Sequence, residues 1–213
     1  SRRVGRAGGR STSGAGVIDW RDIGISPEKI PPAPRYRDHG LIILGGARCV
    51  WEDCEKVMPQ IRSPSWHVMT VNDIVMHATF HVKHAYSNHA DLLEHWVKGR
   101  HPPKKSKFGT PMKHTGNNET CGATWWPLPM HGTSSLNAVY VGLMMGYGEI
   151  ILGGIPLDDS GHYFDPPWVE SNFTKEVPER EHGPRFWENA ARKVFHGRVR
   201  SLSGRTRDLL GSP

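Results

Sequence analysis

The clearest pattern in the chain begins near residue 40. Leu41-Ile42-Ile43-Leu44 is a short unbroken apolar run that stops at Gly45-Gly46, as expected of a strand buried on both faces. Val50 to Met58 then reads as a helix, His67-Val68-Met69-Thr70-Val71 as a second strand ending at Asn72-Asp73, and Ala78-Thr79-Phe80-His81-Val82 as a third. Ala90 to Lys98 places Leu92, Leu93 and Trp96 on one helical face. Gly132 to Tyr147 is almost wholly apolar after Thr133-Ser134-Ser135, with hydroxyls to cap its start and Gly146 near its end, so a buried helix is predicted. The strand Glu149–Leu152 follows at once, then a helix over Arg185–Phe195 and a strand over Val199–Leu202. Strands alternating with helices predict an α/β fold built on a single doubly wound, mainly parallel sheet.

The organisation around this core follows from composition. Residues 1–38 read as a basic flexible arm and lead-in, since the first sixteen positions are Gly/Ser-rich and carry Arg2, Arg3, Arg6 and Arg10 without an acid. Residues 39–213 form the domain, interrupted by a Pro/Gly/Asn-rich stretch at 101–131 that reads as one long surface loop. The 213 residues suit one domain of ordinary size.

Charge and cysteines narrow the setting. With 27 Lys+Arg against 21 Asp+Glu the chain is basic, and the excess gathers at its two ends. No run of about 18 apolar residues is present, which argues against a membrane span, and no apolar leader-like stretch occurs. Cys49, Cys54 and Cys121 are odd in number and lack C-x-x-C spacing, so a reducing cytoplasm is the expected setting.

In doubly wound sheets ligands lie outside the carboxyl ends of the strands. That rule selects Gly45-Gly46-Ala47-Arg48, Asn72-Asp73, Lys83-His84 and the segment from Gly153 to Asp159, with Thr133-Ser134-Ser135 at the start of the buried helix. Gly45-Gly46 permits close backbone approach, and hydroxyls at a helix start suit a phosphate or carboxylate or plain N-capping. Asn72-Asp73 suits a base or ribose, or an Asx-turn. Neither G-x-G-x-x-G nor G-x-x-x-x-G-K-[ST] occurs, which disfavours ordinary dinucleotide binding and P-loop chemistry. Thirteen histidines invite a metal site, yet His77, His81, His84, His89 and His95 lack ligand spacing, so no metal is expected. A single histidine as general base fits better, with His162 and His182 as candidates.

The order of these motifs resembles the bacterial family 42 sialyltransferases and related sialyltransferase-like Rossmann proteins, uncharacterised phage proteins among them. The resemblance is carried by S-[SG]-x-x-x-A-V-x-x-x-x-x-x-G-Y-x-E-I-x-L-x-G-[IV] from Ser134 to Ile155, and extends loosely from Leu41 to about Leu202. It implies a Rossmann-like fold in which Gly45-Gly46, Asn72 and Ser134-Ser135 bind the nucleotide of a CMP-sugar donor, His182 acts as base, and Ser203 lies in a late strand-end loop. The chain departs from the family at Gly45-Gly46-Ala47-Arg48, where the family carries an Asn, and at Ile155-Pro156, where it carries an acid.

Three function classes follow. One is a metal-independent glycosyltransferase, phage-encoded and acting in the host cytoplasm, that uses a nucleotide sugar on a glycan or nucleic-acid acceptor. In it His182 or His162 takes the acceptor proton, while Ser134-Ser135 and Arg48 stabilise the departing phosphate. The second is a nucleotide-binding module that senses, sequesters or hydrolyses its ligand. The third is a nucleic-acid-associated structural protein dominated by its basic ends.

Overall fold

Leu41 to Leu44 are completely buried and lie in β1 (Gly40–Leu44), the strand on which both faces of the fold are built. The computed structural model describes residues 18–32, 35–100, 109–129, 133–158, 160–166 and 183–213. β1 leads through α1 (Val50–Lys56) and α2 (Met58–Ile61) to β2 (Trp66–Val71), then through α3 (Ile74–His77) to β3 (His84–Tyr86) and through α4 (Ala90–Lys98) to β4 (Met112–Thr115) and β5 (Thr124–Trp125). α5 (Ser134–Met144) then crosses back to β6 (Glu149–Gly153), and α6 (Gly183–Ala190), a π-helical turn at Ala191–Phe195, β7 (Val199–Ser201) and α7 (Gly204–Leu210) complete the chain.

The seven strands form one sheet in the order β5-β4-β3-β2-β1-β6-β7. Every pairing is parallel. The sheet is therefore doubly wound and Rossmann-like, with the reversal of strand order between β1 and β6.

Alternation along β1 divides the core. Leu41 and Ile43 face α5, Tyr147 and the α6 segment, while Ile42 and Leu44 face Val50, Cys54 and Val57 around α1. α5 is buried along nearly its whole length. At Gly142 a Cβ would lie 2.7 Å from the Leu41 side chain, so the missing side chain is what lets helix and sheet approach this closely. Thr133 caps α5 by accepting the Leu136 N–H, and Gly146, at φ 86°, ends it in the left-handed region.

Two expectations are corrected. Residues 78–82 are not a strand, because Arg100 donates to the carbonyls of Ala78 and Phe80, and pairing with β2 begins only at Lys83. Within the stretch read as one long loop, residues 112–115 and 124–125 instead extend the sheet by two strands. Ahead of β1, two 3-10 turns at Trp20–Ile23 and Pro27–Lys29 flank Ile25, which is buried in the core on the α5 face.

Candidate functional site

The tips of β2, β3 and β4 and the amino end of α5 are tied together by side-chain amides and hydroxyls. Asn72 follows β2 with φ 56°, and its N–H donates to the Tyr86 carbonyl at 2.9 Å. This left-handed kink, which Asn tolerates better than most residues, turns its amide toward β3, where Oδ1 accepts the Ser87 hydroxyl at 2.8 Å. Asn88 is the hub. Its Oδ1 accepts the Tyr86 hydroxyl at 2.6 Å and Asn137 Nδ2 at 3.2 Å, its N–H donates to Ser134 Oγ at 3.5 Å, and its carbonyl accepts Asn117 Nδ2 at 3.4 Å. Asn137 is 3% exposed, and its Oδ1 is buried without a hydrogen-bond partner among the described residues. Such an acceptor calls for a donor from outside the described residues.

The turn after β1 joins this edge through the segment that follows β6. Tyr163 N–H donates to the Gly46 carbonyl at 3.0 Å and Arg48 N–H to the Gly161 carbonyl at 3.0 Å, while Ala47 and His162 form an antiparallel bridge. The Tyr163 hydroxyl then reaches Asp73 Oδ2 at 2.8 Å. Tyr163 thus connects Gly46 to Asp73 beside Asn72, while Ser87 binds Asn72 and the Asn88 N–H reaches Ser134.

His162 stands beside the β1 turn, its Cδ2 3.7 Å from where a Cβ on Gly46 would sit. Its Nδ1 lies 3.5 Å from Asp165 Oδ2, the same oxygen that accepts the His162 N–H at 2.7 Å, and its ring stacks on Phe164. The Arg48 guanidinium donates to the Pro166 carbonyl at 3.0 Å. His182 lies outside the described residues.

Other predicted positions have different roles in the geometry. Gly45 N–H donates to Gly153 O at 2.9 Å and Ala47 N–H to Gly154 O at 3.1 Å. A Cβ on Gly45 would stand 2.7 Å from the Gly154 carbonyl, so this glycine is required for backbone to pack on backbone at the β1/β6 reversal. His84 begins β3 rather than ending a strand. It is completely buried, and both ring nitrogens are occupied by His114 and Tyr147, so it presents nothing to the rim. Ser203 donates its hydroxyl to Asp53 Oδ2 at 2.7 Å.

Asp53 was not singled out by the sequence, yet its carboxylate organises the β1/β6/β7 end of the rim. It is completely buried and accepts the Gly154 N–H at 2.9 Å, the Ser203 hydroxyl and Lys56 Nζ at 3.1 Å. Since the Ser203 proton goes to Asp53, the Cys49 thiol, 3.4 Å from Ser203 Oγ, is the donor in that contact. Burial first, then the Asp53 charge, pushes the Cys49 thiol up, which keeps it protonated and poorly nucleophilic. The only sequence signal for Asp53 was a lone acid on the apolar side of a short helix.

No family model, curated protein or solved structure matches the chain. Among the described residues no three His, Cys, Asp or Glu side chains converge as a metal site, and no helix is long and apolar enough to cross a membrane. The rim offers amide donors and acceptors, hydroxyls, the Thr133-capped amino end of an eleven-residue buried helix and a half-exposed histidine beside a carboxylate. Together these can hold a polar ligand with an anionic group and accept one proton from a second reactant.

Proposed function

We propose that the chain binds a nucleotide across the carboxyl edge of its sheet and uses a nucleotide sugar as donor for glycosyl transfer, in the manner of the sialyltransferase-like Rossmann proteins it resembles. The observation that carries this reading is the junction of Asn72, Ser87, Asn88 and Asn137 with Ser134, in which Asn137 Oδ1 is buried with no partner among the described residues. Amide groups at strand tips suit the edge of a base or the hydroxyls of a ribose. The amino end of α5, with Ser134 and Ser135, suits phosphate.

In this scheme His162 takes the proton of an acceptor hydroxyl as the new C–O bond forms at the anomeric carbon. The bond from that carbon to the phosphate oxygen breaks, and the nucleotide leaves with the electron pair. Asp165 orients the imidazole and stabilises the imidazolium that forms. Arg48 and the α5 amino end offset the charge on the departing phosphate, and the scheme calls on no metal.

Calorimetric titration of the full chain with cytidine, uridine, adenosine and guanosine nucleotides and their sugar conjugates tests the reading. Saturable binding with a cytidine preference, and donor turnover that His162→Ala abolishes while binding survives, would support it. Turnover lost only in His182→Ala would move the base to that residue. Binding without turnover would leave a nucleotide-binding module, and salt-steep affinity for DNA or RNA without nucleotide binding would replace the proposal.

A further inference from the structure

On the face of the sheet that packs on α5, five side chains form one hydrogen-bonded row. Trp126 Nε1 contacts His114 Nδ1 at 3.1 Å, His114 Nε2 contacts His84 Nδ1 at 3.0 Å, His84 Nε2 contacts the Tyr147 hydroxyl at 2.8 Å, and that hydroxyl contacts His67 Nδ1 at 2.6 Å. The row runs from Trp126 just beyond β5 across β4 and β3 to Tyr147, which follows Gly146 after α5, and ends at His67 on β2.

An indole N–H can only donate, and this fixes the protons on His114 and His84, while Tyr147, once it accepts from His84, has its own hydrogen to give to His67 Nδ1. His114 Nδ1 must accept, so His114 carries its proton on Nε2 and donates to His84 Nδ1. His84 then donates from Nε2 to Tyr147, and Tyr147 donates to His67 Nδ1. All three histidines are neutral Nε2–H tautomers. A proton added to His114 would set N–H against the Trp126 N–H, and one added to His84 would set N–H against His114 Nε2–H. One added to His67 would leave the Tyr147 proton without an acceptor.

Among the described residues no countercharge eases that conflict. The charged or titratable groups facing His67 are His39, Lys83 and His81, and those facing His84 are His114, His67, Lys83 and His81. His114 faces His84, and burial holds its pKa down. Tyr36 stacks on Tyr147 and closes the row toward the amino edge, and His39 stacks on His67. Among the described residues no carboxylate reaches any of the three rings.

We infer that this row is an acid-sensitive latch: neutral, it holds β2, β3 and β4 to the end of α5, and protonation of a histidine within it breaks the row and loosens the strands that carry Asn88 and Asn117. It stands on donor and acceptor logic independent of any ligand, so its test separates from that of the nucleotide reading.

The test is side-chain NMR of the histidines in the full chain, paired with amide exchange corrected for intrinsic rates. The latch requires His84 and His114 as neutral Nε2–H tautomers at about pH 7, and at least about a tenfold loss of protection in residues 84–86 and 112–115 on going to about pH 5. Trp126→Phe, which keeps an aromatic ring but removes the donor, should release the His114 tautomer and let His114 take a proton on Nδ1 without a clash, so the pH dependence of protection in residues 112–115 should shrink. Should that variant fail to fold, His67→Asn at the partly exposed end keeps an acceptor for Tyr147 without a titrating ring, and should reduce the pH dependence. Either inner histidine found as an Nδ1–H tautomer, or protection unchanged between the two pH values, would overturn the inference.

Discussion

The Tyr163 hydroxyl donates to Asp73 Oδ2 at 2.8 Å, and through that one bond the segment after β6 is pinned to the tip of β2. The same segment carries His162 against Gly46, so the position of the candidate base depends on a contact made by its neighbour. Tyr163→Phe should cost about 1 kcal/mol of stability. It should also lower donor turnover several-fold more than it weakens nucleotide binding, because Asn72 and Ser134 are held by their own bonds to Tyr86, Ser87 and Asn88. Parallel denaturation, binding and turnover measurements check the split.

Gly154 sits at φ 64°, and a Cβ there would lie 2.5 Å from the Gly45 carbonyl and 2.7 Å from Val50 Cβ. Gly154→Ala pays both the left-handed backbone cost and a backbone clash at the strand reversal. A loss of about 2 kcal/mol or more is expected, read as a lower urea midpoint.

The buried Asp53 carboxylate leaves two donors stranded if it is removed. Asp53→Ala exposes the Gly154 N–H and the Ser203 hydroxyl to an apolar cavity, at an expected cost of about 2–5 kcal/mol. Asp53→Asn keeps one acceptor oxygen in place and should cost clearly less. Unfolding curves of the two variants side by side distinguish a carboxylate that organises the rim from one that merely fills space.

Acid should destabilise the fold earlier than carboxylate titration alone would. Burial holds His114 down at about 4, and burial with the His39, Lys83 and His81 charges holds His67 down at about 4, against an ordinary value of 6.5. His84, buried beside His114, is lower still. The unfolded chain therefore takes up protons below about pH 6.5 that the folded chain refuses until about pH 4, so stability is full above that window and falls as pH drops through it. For the buried His114 alone the loss is about 3 kcal/mol by pH 4. Urea midpoints measured across the window should fall with pH, and His67→Asn should flatten the slope.

Much of this architecture was legible because apolar runs and helix caps announce themselves. β1, α5 and β6 follow from Leu41–Leu44, from Thr133 with its apolar successor, and from Glu149–Leu152, and their alternation with helices implied the parallel sheet. Residues 78–82 alternate as a strand does, and Ala78 and Val82 are indeed buried, but a distant Arg100 claims the carbonyls a neighbouring strand would need. β4 and β5 are four and two residues long inside a turn-rich stretch, and only pairing such as Tyr86 with His114 makes them strands. At the candidate site, the strand-tip and helix-start positions of Asn72, Gly46 and Ser134 were legible because strand ends and helix caps announce themselves in the sequence. Asn88, Asn137 and Asp53 were not, since a buried polar side chain has meaning only through partners far along the chain.

The most direct test of the central claim is calorimetric titration of cytidine monophosphate into the full chain and into Ser134→Ala and Asn72→Gly, the latter preserving the left-handed backbone while deleting the amide. Saturable binding to the parent chain that weakens about tenfold or more in each variant, with folding intact, is the expected result. Equal affinity in all three proteins, or no binding to the parent chain, would contradict the account.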